Sequence, residues 1–383
     1  MRRTAGETTI GSVVKPSADT IPVALHRWTG VVPSESGFTS YLDPFGGAAT
    51  TWAYRRWTSE EREIGFPATE LVPSWTAAAP PGSWLRVELR ARTVTGGLTK
   101  WYDMGRWAEG GGDIHRTSLP GQGDEDGDVA VDTYVARRPV SAYQVRVTLH
   151  GPGAEVRSVG VMTSALPTRG HVTASPRGEA AGVALDVPPR SQRTHAGHHP
   201  EWGGGGEAWC SPASTTMVLQ YWGRGPAPEE LLFVDPSDPC PAVDHAARDM
   251  YDHSYQGTGN WPFGVAYAGR YGLSGFVTRL RSLAEAERFI RAGIPLITSQ
   301  SFKEHELPGS GYSTRGHLMV VTGFTAGGDV IANDPAGASD DTVKRVYPRA
   351  AFENVWLRST SSGGIVHVMH PHDIPLPSSE GNW

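Results

Sequence analysis

The sequence predicts an α+β protein in which an all-β sandwich, jelly-roll-like in its strand and turn spacing, precedes a half that mixes helices with an antiparallel sheet. Three observations predict it. Period-two alternation dominates the first half, the composition breaks into Pro, Gly, Arg and His over residues 166–206, and capped helices followed by strands fill the remainder. At 383 residues, 38% hydrophobic and 19% charged, the chain is long and apolar enough for two cores. We therefore divide it into a sandwich over 20–165, a connection over 166–206 and a second domain over 207–375.

In "SWLRVELRART", Leu85, Val87, Leu89 and Ala91 alternate with Arg86, Glu88, Arg90 and Arg92, one face inward and one wet. "SAYQVRVTLHG" repeats the pattern with Tyr143, Val145, Val147 and Leu149, and "EVRSVGVMTS" offers a third strand. Turn clusters such as "APPGS", "EGGGD" and "GQGDEDGD" separate them, the spacing of an antiparallel sandwich. In the second half, "SPASTTMVLQYWG" reads as a helix with Pro212 near its start and Gly223 as its stop. "GNWPFGVAYAGRYG" follows with Asn260 as N-cap. "SLAEAERFIRAG" has a capping box of Ser282 and Glu285, an apolar stripe of Leu283, Ala286, Phe289 and Ile290, and Gly293 as its end. "IPLITSQSF" is a buried strand, and "HLMVVTGF", "AGGD" and "VIANDP" spell strand, turn, strand.

The formal net charge of −6, with no long run of one sign, gives no footprint for nucleic acid or an anionic membrane. No stretch approaches the roughly eighteen apolar residues of a membrane span. The start, "MRRTAGETTIGSVVKPSADT", is basic but lacks an apolar core, so the sequence as it stands is expected in the cytoplasm, and outside it if a leader has been removed. Two cysteines do not make a disulfide scaffold, although a single Cys210–Cys240 bridge stays open.

Cys210 stands where a glycine run meets the first turn of a helix. The unpaired N–H groups and the helix dipole there favour a thiolate. Folding "STRGHLMVVTGFTAGGDVIANDPAG" at Gly327–Gly328 brings His317 and Asp334 to the same end of a hairpin. A carboxylate so placed can hold Nδ1–H of the imidazole and leave Nε2 free. Nucleophile, base and orienting group thus come in the order Cys, His, Asp.

"EAWCSPASTTMVL", "GHLMVVTGF" and "ANDPA" resemble the papain superfamily, and within it the bacteriocin-processing peptidases that cut double-glycine leaders and their stand-alone bacterial relatives. The resemblance spans about residues 201–370. It implies a papain-like cysteine peptidase domain, with Cys210, His317 and Asp334 catalytic and no cofactor. The first half is similar to the β-rich N-terminal region of a group of actinobacterial members. Two positions depart from the family. A Gln usually stands several residues ahead of the cysteine to help form the oxyanion hole; here Gly204 is six before, and the nearest polar side chain is Glu207. Ser211 replaces the usual Gly. The Cys210 N–H supplies one oxyanion donor, and losing the other lowers rates roughly a hundred- to a thousandfold.

Each residue also has a plainer reading. Cys210 alone fits an inert buried thiol, His317 a satisfied strand-end histidine and Asp334 an Asp-Pro turn residue. Asn333, on the opposite strand face, is an alternative to Asp334 for orienting the ring. Trp209 is a cleft wall or a core residue, Gln300 a minor polar contributor to the cleft, and Cys240 a loop thiol. No metal site is expected: His195, His198 and His199 of "HAGHH" read as a solvated loop without a second ligand set, and Asp124 to Asp128 as an acidic turn rather than an EF-hand. Trp28, Trp52, Trp57, Trp75, Trp84, Trp101 and Trp107 read first as core, and as a glycan- or peptide-binding platform if exposed. The expected chemistry is hydrolysis of a peptide or amide bond, in a peptide or protein substrate, through a thioester acyl-enzyme. The rivals are acyl transfer to an amine by the same triad, and a binding protein with a dead site.

Overall fold

A computed structural model describes residues 21–383. The stretch over 1–20, on which the leader and localisation expectations rest, lies outside the described residues. Nine strands come first: β1 (Val23–Thr29), β2 (Glu35–Tyr41), β3 (Thr50–Thr58), β4 (Arg62–Ala78), β5 (Trp84–Thr93), β6 (Tyr102–Trp107), β7 (Gly127–Ala130), β8 (Thr133–His150) and β9 (Glu155–Ser164). They form one antiparallel sheet in the order β1-β9-β4-β8-β3-β2, with β5 and β7 also on β8 and β6 on β5. The early part of β8 pairs with β7 and its later part with β3 and β5, so the sheet folds over on its longest strand. Breaks in register along β4, between Glu63 and Ala68 and again before Glu70, help it bend. Trp75, Trp84, Trp107, Tyr102 and Tyr134 fill the interior. Of the seven tryptophans in the first half, Trp75, Trp84 and Trp107 are core, and Trp28, Trp52, Trp57 and Trp101 are half-buried. The alternation in β5 holds except at Glu88. Expected on the wet face, it is buried because Arg146 and Arg86 pair with its carboxylate, and the Arg146 and Arg90 guanidinium groups stack on Trp101 above it.

The second half contains α1 (Cys210–Tyr221), α2 (Pro241–Met250), α3 (Trp261–Arg270), β10 (Leu273–Arg279), α4 (Leu283–Arg291), β11 (Leu296–Phe302), β12 (Thr314–Phe324), β13 (Val330–Asn333), β14 (Lys344–Tyr347), α5 (Arg349–Leu357) and β15 (Ile365–Pro371). The sheet order is β10-β15-β11-β12-β13-β14, antiparallel throughout. Asn260 caps α3 through the Phe263 N–H at 3.2 Å. Ser282 caps α4 through the Glu285 N–H, but Glu285 returns its carboxylate to the Arg281 N–H, one residue earlier than a capping box requires. The molecule is therefore α+β, a β-rich domain followed by a helix-and-sheet domain.

Two sets of contacts tie these parts together. The chain between β9 and α1 crosses the second sheet without strand or α-helix of its own: Leu185 N–H reaches Thr322 O at 2.8 Å, Asn333 Nδ2 reaches Val187 O at 2.9 Å, and Gln192 N–H reaches Pro335 O at 2.9 Å. The two halves also share a core. The rings of Trp75 and Phe263 lie 6.2 Å apart, the Val277 N–H bonds Ser74 Oγ at 3.0 Å, and α3 lies so close to β4 that a Cβ on Gly269 would sit 2.8 Å from the Thr76 side chain.

Candidate active site

The approach to Cys210 needs its glycines. Gly203, Gly204 and Gly205 have φ of 84°, 95° and 76°, the left-handed region that disfavours side chains. Gly206 lies so near His195 that a Cβ there would be 2.2 Å from its carbonyl. The chain then starts α1 at Cys210, with Trp209 as N-cap. Both cysteines are free thiols: Cys240 is buried at the start of α2 beside Gln220, and Cys210 is partly exposed. Cys240 is thus an N-cap rather than a loop residue, and no bridge joins the pair.

The thiol faces His317. Burial pushes the Cys210 thiol up, but the hydrogen bond and charge of His317, with the N–H groups of Leu318 and Ser211, outweigh it and hold the thiol below its ordinary value. Ser214, one turn further along α1, donates Oγ to Leu318 O at 3.2 Å and so ties the helix to the strand that carries the imidazole. His317 and Asp334 meet as Nε2 and Oδ1, 2.8 Å apart. The ring is therefore turned over relative to the spacing argument: Nε2 holds the carboxylate, and Nδ1 is the nitrogen left for the sulfur. Residue spacing brings two side chains together but does not choose a χ2 angle, so it could not choose the nitrogen.

Asp334 is fully buried and well partnered. Besides His317 it accepts from Tyr347 Oη at 2.6 Å, Tyr312 Oη at 2.9 Å and the Ala336 N–H at 2.9 Å. Burial alone raises a carboxyl group; the charge and hydrogen bond of His317, helped by Tyr347 and Ala336, hold this one well below the usual carboxylate range. In return Asp334 overcomes the burial of His317 and raises the imidazole to about 10. Thiol, imidazole and carboxylate thus lie in series, with His317 in contact with both of the others.

The other candidates fall elsewhere. Asn333 points to the far side of its strand and bonds Val187, away from the ring. Trp209 is core, packed with Cys240, Val243 and Ala247, its indole N–H on Trp202 O. Glu207 is exposed and takes the Gly197 N–H at 3.3 Å, while Ser211 is buried and offers its backbone N–H to the sulfur. Tyr312 and Tyr347 carry no local signal for their part in the site. Gln192 escapes a search six residues ahead of the cysteine because it stands eighteen residues ahead; it is buried, and its side-chain amide donates to Glu207 O, just before Cys210. Gln300 is directly opposite His317 across β11 and β12, buried, with no partner for either amide atom.

The acidic stretch near Asp124 is a turn: Asp124 accepts from the Tyr102 hydroxyl and the Asp126 N–H. The "HAGHH" segment is solvated only in part: Ala196 and Gly197 are exposed, His198 and His199 half-buried. His195 is fully buried, and it converges with His198, Asp238 and Asp244 into a group of donors suited to a metal ion.

Among known proteins, the model described as Peptidase C39 N-terminal domain matches residues 17–164, and that of the Peptidase C39 like family matches residues 184–363. No curated protein matches. Among solved structures, a C39-like peptidase from Bacillus anthracis is 16% identical with a TM-score of 0.32, over 49% of this chain and 96% of its own. Infectious bursal disease virus, Gt strain, gives 12% identity and a TM-score of 0.20, over 41% and 36%. Carbohydrate-binding modules of the β-sandwich superfamily give 10% and 0.16, over 37% and 54%. One family model lies on the β-rich half and the other on the half that carries Cys210, His317 and Asp334: the chain belongs to the C39-like papain-fold cysteine peptidases and bears that family's N-terminal domain.

Proposed function

We propose that this protein hydrolyses a peptide or amide bond in a peptide or protein substrate with Cys210 as nucleophile, His317 as general base and acid, and Asp334 as the group that orients and charges the ring. The thiolate attacks the carbonyl carbon, and His317 passes its proton to the leaving amine as the C–N bond breaks. The thioester is then opened by a water that His317 deprotonates, and the thiolate returns. The Cys210 N–H at the head of α1 supports one oxyanion donor. The Gln192 amide, anchored to Glu207 O with a second N–H to spare, is our assignment for the other.

One observation carries this reading: the imidazole lies between a partly exposed free thiol and a carboxylate that three further donors hold in place. An amide-mimicking, thiol-reactive probe tests it. Wild type is expected to label at Cys210 alone, His317→Ala to label at least about a hundredfold more slowly, and Cys210→Ala to lose both labelling and any cleavage found in a proteome-wide screen. Folded wild-type protein that resists the probe, or a His317→Ala variant that labels as fast, would count against the relay.

A further inference from the structure

A second histidine–aspartate group lies beside the chain that leads to Cys210. His195 closes a 3-10 turn (Arg193–His195), and His198 follows three residues later. Asp238 precedes α2 and Asp244 lies in its first turn. His195 Nδ1 is 2.8 Å from Asp244 Oδ2 and 3.4 Å from Asp238 Oδ2; His198 Nδ1 is 3.1 Å from Asp244 Oδ1 and 3.2 Å from Asp238 Oδ2. One donor atom from each residue lies within 4.8 Å of every other.

Proximity alone would describe a pair of salt bridges, but the hydrogen bonds do not close. Neither ring nitrogen of His195, nor Asp238 Oδ2, nor Asp244 Oδ2 has a hydrogen-bond partner, and the side chains of Asp238 and Asp244 are 0% exposed and that of His195 1%. Only His198, at 36%, reaches solvent. A buried polar atom without a partner destabilises a protein by about 1–3 kcal/mol, more when charged, and one ion at this place would engage Asp238 Oδ2, Asp244 Oδ2 and a nitrogen of His195 together. Two carboxylates side by side without solvent are stabilised by a positive charge, which a cation held with neutral imidazoles supplies.

We infer that His195, His198, Asp238 and Asp244 bind one divalent cation, zinc by the chemistry of the set. Two imidazole nitrogens and two carboxylate oxygens match the donors zinc takes in closed four-coordinate sites. With bonds of about 2.0–2.2 Å, the edges of a tetrahedron are about 3.3 Å, close to the four His–Asp separations of 2.8, 3.1, 3.2 and 3.4 Å here. The carboxylates balance a divalent charge. Asp238 is also aimed: its Oδ1 takes the Cys240 N–H at 2.7 Å, leaving Oδ2 to face the centre. Four protein donors leave no open position, so the ion is structural. It ties the turn over 193–198, on which Gly206 rests, to α2, and so fixes the chain entering α1.

The test uses the full chain without a histidine tag. After exhaustive dialysis, elemental analysis is expected to find about one zinc per chain, and Asp238→Asn with His198→Ala to hold less than about a tenth of that. A strong chelator is expected to lower the wild-type Tm by about 5 °C or more, and added zinc to restore it. Cobalt(II) in its place is expected to show the intense visible bands of a tetrahedral centre. The wild-type measurements stand even if a ligand variant misfolds. Protein without stoichiometric metal, a Tm indifferent to chelator and zinc, or zinc retained in the folded double variant would overturn the assignment. Metal content is read independently of cleavage, so this result and the fate of the proposed relay are separate.

Discussion

At Asp334 both carboxylate oxygens are engaged: two tyrosine hydroxyls, a backbone N–H and His317 converge on them. Around Asp238 and Asp244, the same two residue types sit as close and as deep, yet two carboxylate oxygens and both nitrogens of His195 have no hydrogen-bond partner. Distance does not separate the two groups; both contain a His–Asp approach of 2.8 Å. Hydrogen-bond accounting does. A group already satisfied can polarise and reorient a proton, whereas one with converging unsatisfied donors needs an ion.

The comparison can be broken from the relay side. Asp334→Ala removes the charge that holds His317 as an imidazolium, and is expected to lower kcat/KM about a thousandfold while leaving zinc content unchanged. Equal loss of zinc and activity would mean that the two groups are one unit. A smaller effect is expected in the pH profile. Because the thiol lies below its ordinary value and the imidazole is raised to about 10, the thiolate–imidazolium pair exists between those limits. Activity should rise as pH passes the thiol value and fall near pH 10, where the imidazolium loses its proton. In Asp334→Asn the falling limb should move to lower pH; a limb that stays in place would show that the carboxylate does not set the charge of His317. The mildest change, Tyr347→Phe, removes one of four donors to Asp334 and is expected to lower kcat about three- to tenfold, in line with about 1.5–3 kcal/mol for a hydrogen bond to a charged group, partly offset by Tyr312. No effect on rate would give Tyr347 a packing role alone.

Much of the architecture is legible in the sequence wherever a pattern is local. The alternation in β5, the caps of α3 and α4 and the β12–β13 hairpin are each written within a dozen or so residues. β10 and β15 escape a pattern reading because both are buried along most of their length and so lack alternation, and α2 because it begins at a proline directly after a turn-rich stretch. The residues at the centre of the relay carry their own signals, a helix start and two strand ends. Tyr312, Tyr347 and Gln192 do not, since only tertiary packing brings them to Asp334 and to the turn before Cys210. The second ligand pair of the His–Asp group stands some forty residues after "HAGHH", on and just before a helix the pattern does not reveal, which is why that segment reads as solvated.

The contact of Gly269 with Thr76 bears on how such a chain can evolve. Ser74, Trp75 and Thr76 are consecutive on one strand, and each meets α3 or β10 of the other half. A sheet borrowed from an unrelated gene would have to reproduce that trio in step with Phe263, Gly269 and Val277. Inheritance should therefore keep the two halves together, and exchange of the first half between lineages should succeed only when the matching face travels with it.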